Sequence, residues 1–232
     1  MLYTKGQQLT AYRATPPDSL QHQERPAHLP PRGPGWARRF SWWMLRRFGW
    51  DIRGYYPDAE KFVIIAAPHS STYDWYWGMY VQWALGVRFS YMIKRTFFVP
   101  PIGPIIRWMG GVPVNRSRAR GLIDTAIEEF KANDRFVLLI TPEGRTKPVR
   151  RVKRGFYEIA KGADVPVLVV SFRYDEKVIS LDGYLDMSGE FEDVETRLQA
   201  HYGQIKGRSK GYLTDLENWV VKPLPKDTVI HE

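Results

Sequence analysis

His69 and Asp74 are the residues of this 232-residue chain whose types and spacing most directly suggest chemistry. They stand in the segment PHSSTYDW, residues 68 to 75. A carboxylate on one imidazole nitrogen fixes the ring's tautomer and leaves the other nitrogen free to accept a proton. A tight turn through Ser70, Ser71 and Thr72 would bring the Asp74 carboxylate back to the His69 ring. Activation of a hydroxyl nucleophile needs that arrangement. The same residues also describe a helix N-terminus, with a satisfied polar histidine and an aspartate near the positive end of the helix dipole. Taken alone, the second description is the simpler one.

Three further segments carry candidate chemistry. In TPEGRTKP, residues 141 to 148, Pro142 and Gly144 make a turn from which Glu143, Arg145 and Lys147 project. Arginine and lysine there can hold a phosphate, and turn N–H groups can hold an anion or a developing oxyanion. An ordinary charged turn has the same composition. GGVPVNR, residues 110 to 116, is a short strand followed by Arg116, which is either an anion ligand or a surface charge. VPVLVV, residues 165 to 170, reads most simply as core.

These segments need elements to hold them. KFVIIAA (61 to 67), RFVLLIT (135 to 141) and VPVLVVSF (165 to 172) are short apolar runs rich in β-branched residues, the pattern of buried strands. RFSYMIKR (88 to 95) and GVPVN (111 to 115) read as further strands, and EKVISL (176 to 181) as an additional one. Helical patterns cover 73 to 86, 118 to 131, 153 to 162 and 190 to 203. In the second of these, Leu122, Ile123, Ala126, Ile127 and Phe130 face inward. Residues 96 to 110 are broken by prolines and read as irregular. Strands alternating with helices predict an α/β fold: a mostly parallel central sheet flanked by helices. His69 and the 141 to 148 turn then both follow strands, at the sheet edge where such folds bind ligands.

The remaining organisation is N-terminal. Residues 1 to 35, with Pro16, Pro17, Pro26, Pro30, Pro31 and Pro34, read as a flexible, extended arm. Residues 36 to 50, WARRFSWWMLRRFGW, form an amphipathic segment of aromatics and arginines. On a helix, Trp36, Phe40, Trp43, Met44 and Phe48 share a broad face, interrupted by Arg47. Two readings are open: an interfacial helix with its arginines, Arg39, Arg46 and Arg47 among them, on lipid phosphates, or a helix packed on the core. Residues 51 to 232 form the single main domain.

Composition limits the rest. At 44% hydrophobic and 25% charged, the chain can bury a real core. A net charge of +9 points to an anionic partner, either nucleic acid, a phospholipid surface or a phosphorylated substrate. The absence of cysteine excludes disulfides, thiolate metal sites and a cysteine nucleophile. The opening residues, MLYTKGQQLT, lack the apolar core of a signal peptide, and no apolar run is long enough to span a bilayer. Contact with a membrane is therefore expected from one side only.

Taken in order, the four segments resemble the glycerolipid acyltransferases, whose best-known members are lysophosphatidic acid acyltransferases. His69 and Asp74 match the family's H-x-x-x-x-D block. Gly111, Val112, Val114 and Arg116 match its glycine–apolar–arginine block. Pro142, Glu143 and Gly144 match F-P-E-G-T-R, and Pro166 and Val167 match the fourth, proline-containing block. The segment from Lys94 to Gly111 resembles the lysine-bearing stretch before the second block. The resemblance runs from about Trp50 to Phe172. Three positions depart from it: Arg145 and Thr146 invert the family's Thr-Arg order, Asn115 stands where an acidic residue is frequent, and Val169 replaces a proline.

The resemblance implies O-acyl transfer from a thioester to a lysophospholipid hydroxyl, with acyl-CoA or acyl carrier protein as co-substrate and with no metal or other cofactor. It implies His69 as general base, Asp74 as its orienting partner, and Lys94, Arg116, Glu143, Gly144, Arg145 and Lys147 around the acceptor. For the acyl chain, Phe97, Phe98, Ile102, Ile105 and Trp108 are available as an apolar groove, with core packing an equal alternative for several. The expected location is cytoplasmic, at the inner face of an anionic membrane, with no nucleic acid partner. A different hydroxylated lipid or glycolipid acceptor, a hydrolase and a non-catalytic lipid- or nucleic-acid-binding protein are the rival readings.

Overall fold

The computed structural model describes residues 2–3, 8–9, 15–68, 73–114, 119–143, 151–203 and 205. Its strands are β1 (Leu2–Tyr3), β2 (Gln8–Leu9), β3 (Asp51–Arg53), β4 (Tyr56–Pro57), β5 (Lys61–Ala67), β6 (Tyr91–Lys94), β7 (Gly111–Val114), β8 (Phe136–Ile140), β9 (Val167–Arg173) and β10 (Val178–Leu185). Its α-helices are α1 (Gly35–Arg47), α2 (Tyr73–Leu85), α3 (Ile102–Trp108), α4 (Ala119–Ala132), α5 (Gly155–Ala163) and α6 (Phe191–Tyr202).

The central sheet runs β2–β10–β9–β5–β8, with β3 also on β10. β5 lies parallel to both β8 and β9, whereas β10 returns antiparallel to β9. β6 and β7 pair parallel to each other. Ser90, just before β6, continues the sheet past β8: its N–H donates to Val137 O at 2.7 Å and its carbonyl accepts from Leu139 N at 2.8 Å. The expected α/β fold with a mostly parallel sheet is therefore present. The C-terminal ends of β5, β6, β7, β8 and β9 share one edge.

The buried runs read from the sequence cover the sheet on both faces. Phe62, Ile64 and Ala66 of β5 join a core with Val81, Ala84 and Leu85 of α2 and Leu45 of α1. Val63, Ile65 and Ala67 join the opposite core with Phe130 of α4, Ile159 of α5 and Leu198 of α6. Alternation along one strand thus splits its side chains between two helical layers.

Two expectations change. Residues 15 to 34 do not form an arm apart from the domain. Leu20 and Leu29 are fully buried, Arg32 N donates to Gly86 O at 2.9 Å, and Arg88 N donates to Pro30 O at 2.9 Å. Two leucines in a proline-rich stretch carry no periodicity, so their anchoring role leaves no pattern to read. Within 96 to 110, Ile102–Trp108 is helical. Its prolines fall at the start of α3, where missing N–H groups break no helical bond. Gly110 then turns the chain into β7 with φ of 105°, and a Cβ there would sit 2.2 Å from Phe89 O.

α1 resolves into two faces. Ala37, Ser41, Trp42 and Leu45 are buried, whereas Trp36, Phe40, Trp43 and Phe48 are exposed. The helix is packed on the domain, and the aromatic face read from the sequence is left in solvent. Among the described residues no helix is long and apolar enough to cross a membrane.

Candidate active site

β5 ends at Ala67, and the chain leaves the sheet edge at Pro68, one residue before His69. His69, Arg116, Gly144, Arg145 and Lys147 lie outside the described residues. Asp74, Lys94 and Glu143 lie within them.

Asp74 sits in the first turn of α2 and is buried, at 4% exposure. The position near a helix N-terminus suits a carboxylate. Its Oδ1 accepts a hydrogen bond from the hydroxyl of Tyr174, the residue directly after β9. A tyrosine from the neighbouring strand end therefore fixes the Asp74 carboxylate. The two residues are 100 positions apart, so no local pattern signals the pair.

A cavity of about 970 Å³ opens at this edge and runs beneath α2. Pro68, Asp74, Thr141 and Pro142 border it at the strand ends. Farther in, its walls are apolar: Gly78, Val81 and Leu85 of α2 face Ile64, Val170 and Leu181 of the sheet. Lys153 and Arg154, which also line it, add cations beside Pro142. Lys153 N donates to Pro142 O at 2.8 Å, tying that segment to the turn after β8. The sequence reading passed over Lys153 and Arg154 because they belong to a basic run with no motif of its own.

The sequence-derived groove residues are placed elsewhere. Phe97, Ile102, Ile105 and Trp108 are exposed on and before α3 and do not line the cavity. The apolar channel is instead built from side chains that read as ordinary core. Lys94 ends β6 and is exposed, away from the cavity lining.

Glu143 differs from its expected placement as well. It is 1% exposed and does not border the cavity. Its charge is felt by Tyr202 of α6, whose phenol burial pushes well above its ordinary pKa, with Asp182 and Glu143 adding to the shift. Tyr202 thus stays a neutral donor, 3.0 Å from Ile65 O and 3.1 Å from Val170 O. It joins the adjacent strands β5 and β9 just before the edge.

Behind the same edge lies a buried polar cluster. Asp182 of β10 accepts from the Ser171 hydroxyl, lies 3.0 Å from His201 Nε2 and pairs with Arg173 Nη2 at 3.3 Å. Ser171, Arg173, Asp182 and His201 are each at most 2% exposed. Its serine, histidine and aspartate are closed off from solvent, so the cluster holds β9, β10 and α6 together rather than presenting a nucleophile. Arg173 immediately precedes Tyr174, so the cluster anchors the strand end that orients Asp74.

At the strand edge, then, a buried aspartate held by a tyrosine borders the mouth of an apolar cavity. The Acyltransferase family's sequence model matches residues 51–173, from β3 to the end of β9. The chain belongs to the Acyltransferase family. No curated protein matches it. Among solved structures, it is similar to the crystal structure of the 1-acyl-sn-glycerophosphate (LPA) acyltransferase PlsC from Thermotoga maritima, at 21% identity and a TM-score of 0.49, over 71% of this chain and 73% of that one.

Proposed function

We propose that the chain moves a fatty acyl group from a thioester, on coenzyme A or acyl carrier protein, to a hydroxyl of a lysophospholipid such as 1-acyl-glycerol-3-phosphate. The apolar cavity that opens beside Asp74 is the observation that carries this reading. A channel of that size and lining suits an acyl chain, with its thioester carbonyl left at the polar mouth.

His69 takes the acceptor's hydroxyl proton as the oxygen attacks the thioester carbonyl. The tetrahedral intermediate collapses, the carbon–sulfur bond breaks, and the imidazolium returns the proton to the departing thiolate. Asp74 orients the ring and stabilises its charged form. The acceptor is itself the nucleophile, so no acyl-enzyme forms. Arg116, Lys94, Gly144 and Arg145 or Lys147 serve the acceptor phosphate, joined by Lys153 and Arg154 at the cavity mouth. Glu143, being buried, supports the turn after β8 rather than touching the acceptor. The exposed residues of α1, Trp36, Arg39, Phe40, Trp43, Arg46 and Arg47, dock the enzyme on an anionic membrane surface from the cytoplasmic side. Incubation with labelled acyl-CoA or acyl carrier protein and a total lipid extract tests the reading: a labelled ester-linked lipid is expected, and free fatty acid alone would refute it.

Two substitutions probe the geometry. Tyr174→Phe removes the hydroxyl that holds Asp74. A hydrogen bond to a charged group is worth enough to lower kcat about ten-fold, with KM little changed and the melting temperature lowered by only a few degrees. Wild-type kcat would remove Tyr174 from the mechanism. Gly78 lines the cavity, and a Cβ built on it meets nothing within 4 Å. Gly78→Leu adds a side chain there and favours the helix by about 1 kcal/mol. At about 0.8 kcal/mol per methylene, shortening the channel by three or four methylenes lowers kcat/KM for long-chain thioesters about 100-fold, with short-chain thioesters spared. Equal losses across chain lengths would show that the cavity does not hold the acyl chain.

A further inference from the structure

A helix of a folded domain buries its apolar stripe against the core, and α3 does the reverse. The one buried residue of Ile102–Trp108 is Gly103, where an added Cβ would lie 2.8 Å from the Phe98 carbonyl carbon. Ile102 is 53% exposed, Ile105 55% and Trp108 60%, and the stretch before the helix adds Phe97 at 58% and Val99 at 53%. None of the five lines the cavity. Their outward direction is fixed by packing. Trp108 meets Trp83 of α2 with ring centroids 5.6 Å apart, and the Arg32 guanidinium lies over both rings and donates to Trp108 O. The charges here are of one sign. From 75 to 123 the sequence holds no carboxylate. Arg88, Lys94, Arg95 and Arg107 are exposed, and none has an acidic partner among the described residues.

We propose that residues 95–108 are a second bilayer-contact element, independent of α1. Phe97, Val99, Ile102, Ile105 and Trp108 enter the headgroup–acyl boundary of an anionic membrane, and Arg88, Arg95 and Arg107 meet its phosphates. A run of large apolar side chains, each more than half exposed, marks an interaction surface. The cations decide which one. An acidic soluble protein would engage the arginines and leave the apolar side chains in water. A second copy of the chain, related by a twofold axis, would set this cationic segment against itself. An anionic bilayer satisfies both features. The contact also gives docking a direction. The segment begins where β6 ends, on the edge that carries Asp74 and the cavity mouth. A bilayer held there therefore meets the entrance that a lysophospholipid uses, which is the part of the proposal that rests on the acceptor given above.

The chain has no cysteine, so Ile105→Cys carries a single polarity-sensitive dye. With vesicles of phosphatidylcholine and phosphatidylglycerol, the dye's emission is expected to rise and shift to the blue. The same dye on Glu192→Cys, exposed on α6 at the other face of the sheet, should keep its emission in water. Sedimentation of the full chain with those vesicles supplies the affinities. Phe97→Gln/Ile102→Gln/Ile105→Gln should weaken binding about 100-fold, at about five-fold per side chain. Arg95→Gln/Arg107→Gln should weaken it about 25-fold, at about five-fold per charge, and leave binding to phosphatidylcholine alone unchanged. Both variants change exposed positions and should melt as the wild type does. A chain that sediments while the dye at 105 stays in water would overturn the proposal and leave α1 as the docking element, as would full binding by the triple variant. A dye that shifts on self-association of the chain, or on addition of acyl carrier protein, and not with vesicles, would overturn the lipid assignment. A wild type that ignores every vesicle would overturn it together with the docking of α1. Acyl transfer to detergent-dispersed acceptor, measured in parallel, distinguishes that failure from failure of the acyl-transfer reading.

Discussion

Replacing His69 by alanine is expected to lower acyl transfer by about 10²–10⁴-fold while leaving the melting temperature at its wild-type value. The activity loss follows from the general-base role proposed for His69. A lysophospholipid hydroxyl is a poor nucleophile until its proton has somewhere to go, and His69 is one residue beyond Pro68 at the end of β5. The unchanged stability follows from what holds that edge. Tyr202 bonds to Ile65 O and Val170 O, and Tyr174 holds Asp74; neither contact involves His69. Steady-state turnover beside a thermal melt separates the two effects. A folded His69→Ala protein with wild-type turnover would remove His69 from the chemistry.

The second large effect concerns stability. Asp182 is 1% exposed and is shared by Ser171, Arg173 and His201. Asp182→Ala leaves the buried Arg173 guanidinium without that carboxylate. Breaking a buried pair by removing one partner costs about 3–5 kcal/mol. At roughly 2–4 °C per kcal/mol for a domain of this size, the melting temperature should fall by about 10 °C. Asp182→Asn, which keeps an acceptor oxygen, should lose less. Urea denaturation provides the free energy directly, and a loss below about 1 kcal/mol would mean that the cluster contributes little. Arg173 adjoins Tyr174, so the same variant should also lose some activity through a loosened Asp74.

Much of this architecture was legible because its signals are local. The apolar runs of β5, β8 and β9 and the helical patterns of α2, α4, α5 and α6 stand within a few residues of where they were read. The order of the four motif segments indicated the family that residues 51–173 match. The features without a local signal are long-range or aperiodic. Tyr174 meets Asp74 only because β9 lies next to β5 in the sheet, and pairing across 100 residues leaves no spacing to read. Leu20 and Leu29 are buried singly among prolines. α3 was hidden by prolines that its first turn tolerates. The channel was hidden for a different reason: Ile64, Val170 and Leu181 look like core whether or not a space lies between them. Glu143 read as a surface carboxylate because a charged turn usually is one, and its burial depends on α6 packing against that edge.

Transfer to an acceptor hydroxyl is tested most directly by the balance of thiol released against lipid acylated. The purified chain is given an acyl thioester, with and without 1-acyl-glycerol-3-phosphate. Free thiol is followed by a colorimetric reagent and products by mass spectrometry. The expected result is one acylated lipid for each thiol released, with thiol release dependent on the acceptor. Thiol release at the same rate without acceptor, accompanied by free fatty acid, would contradict transfer and indicate hydrolysis instead.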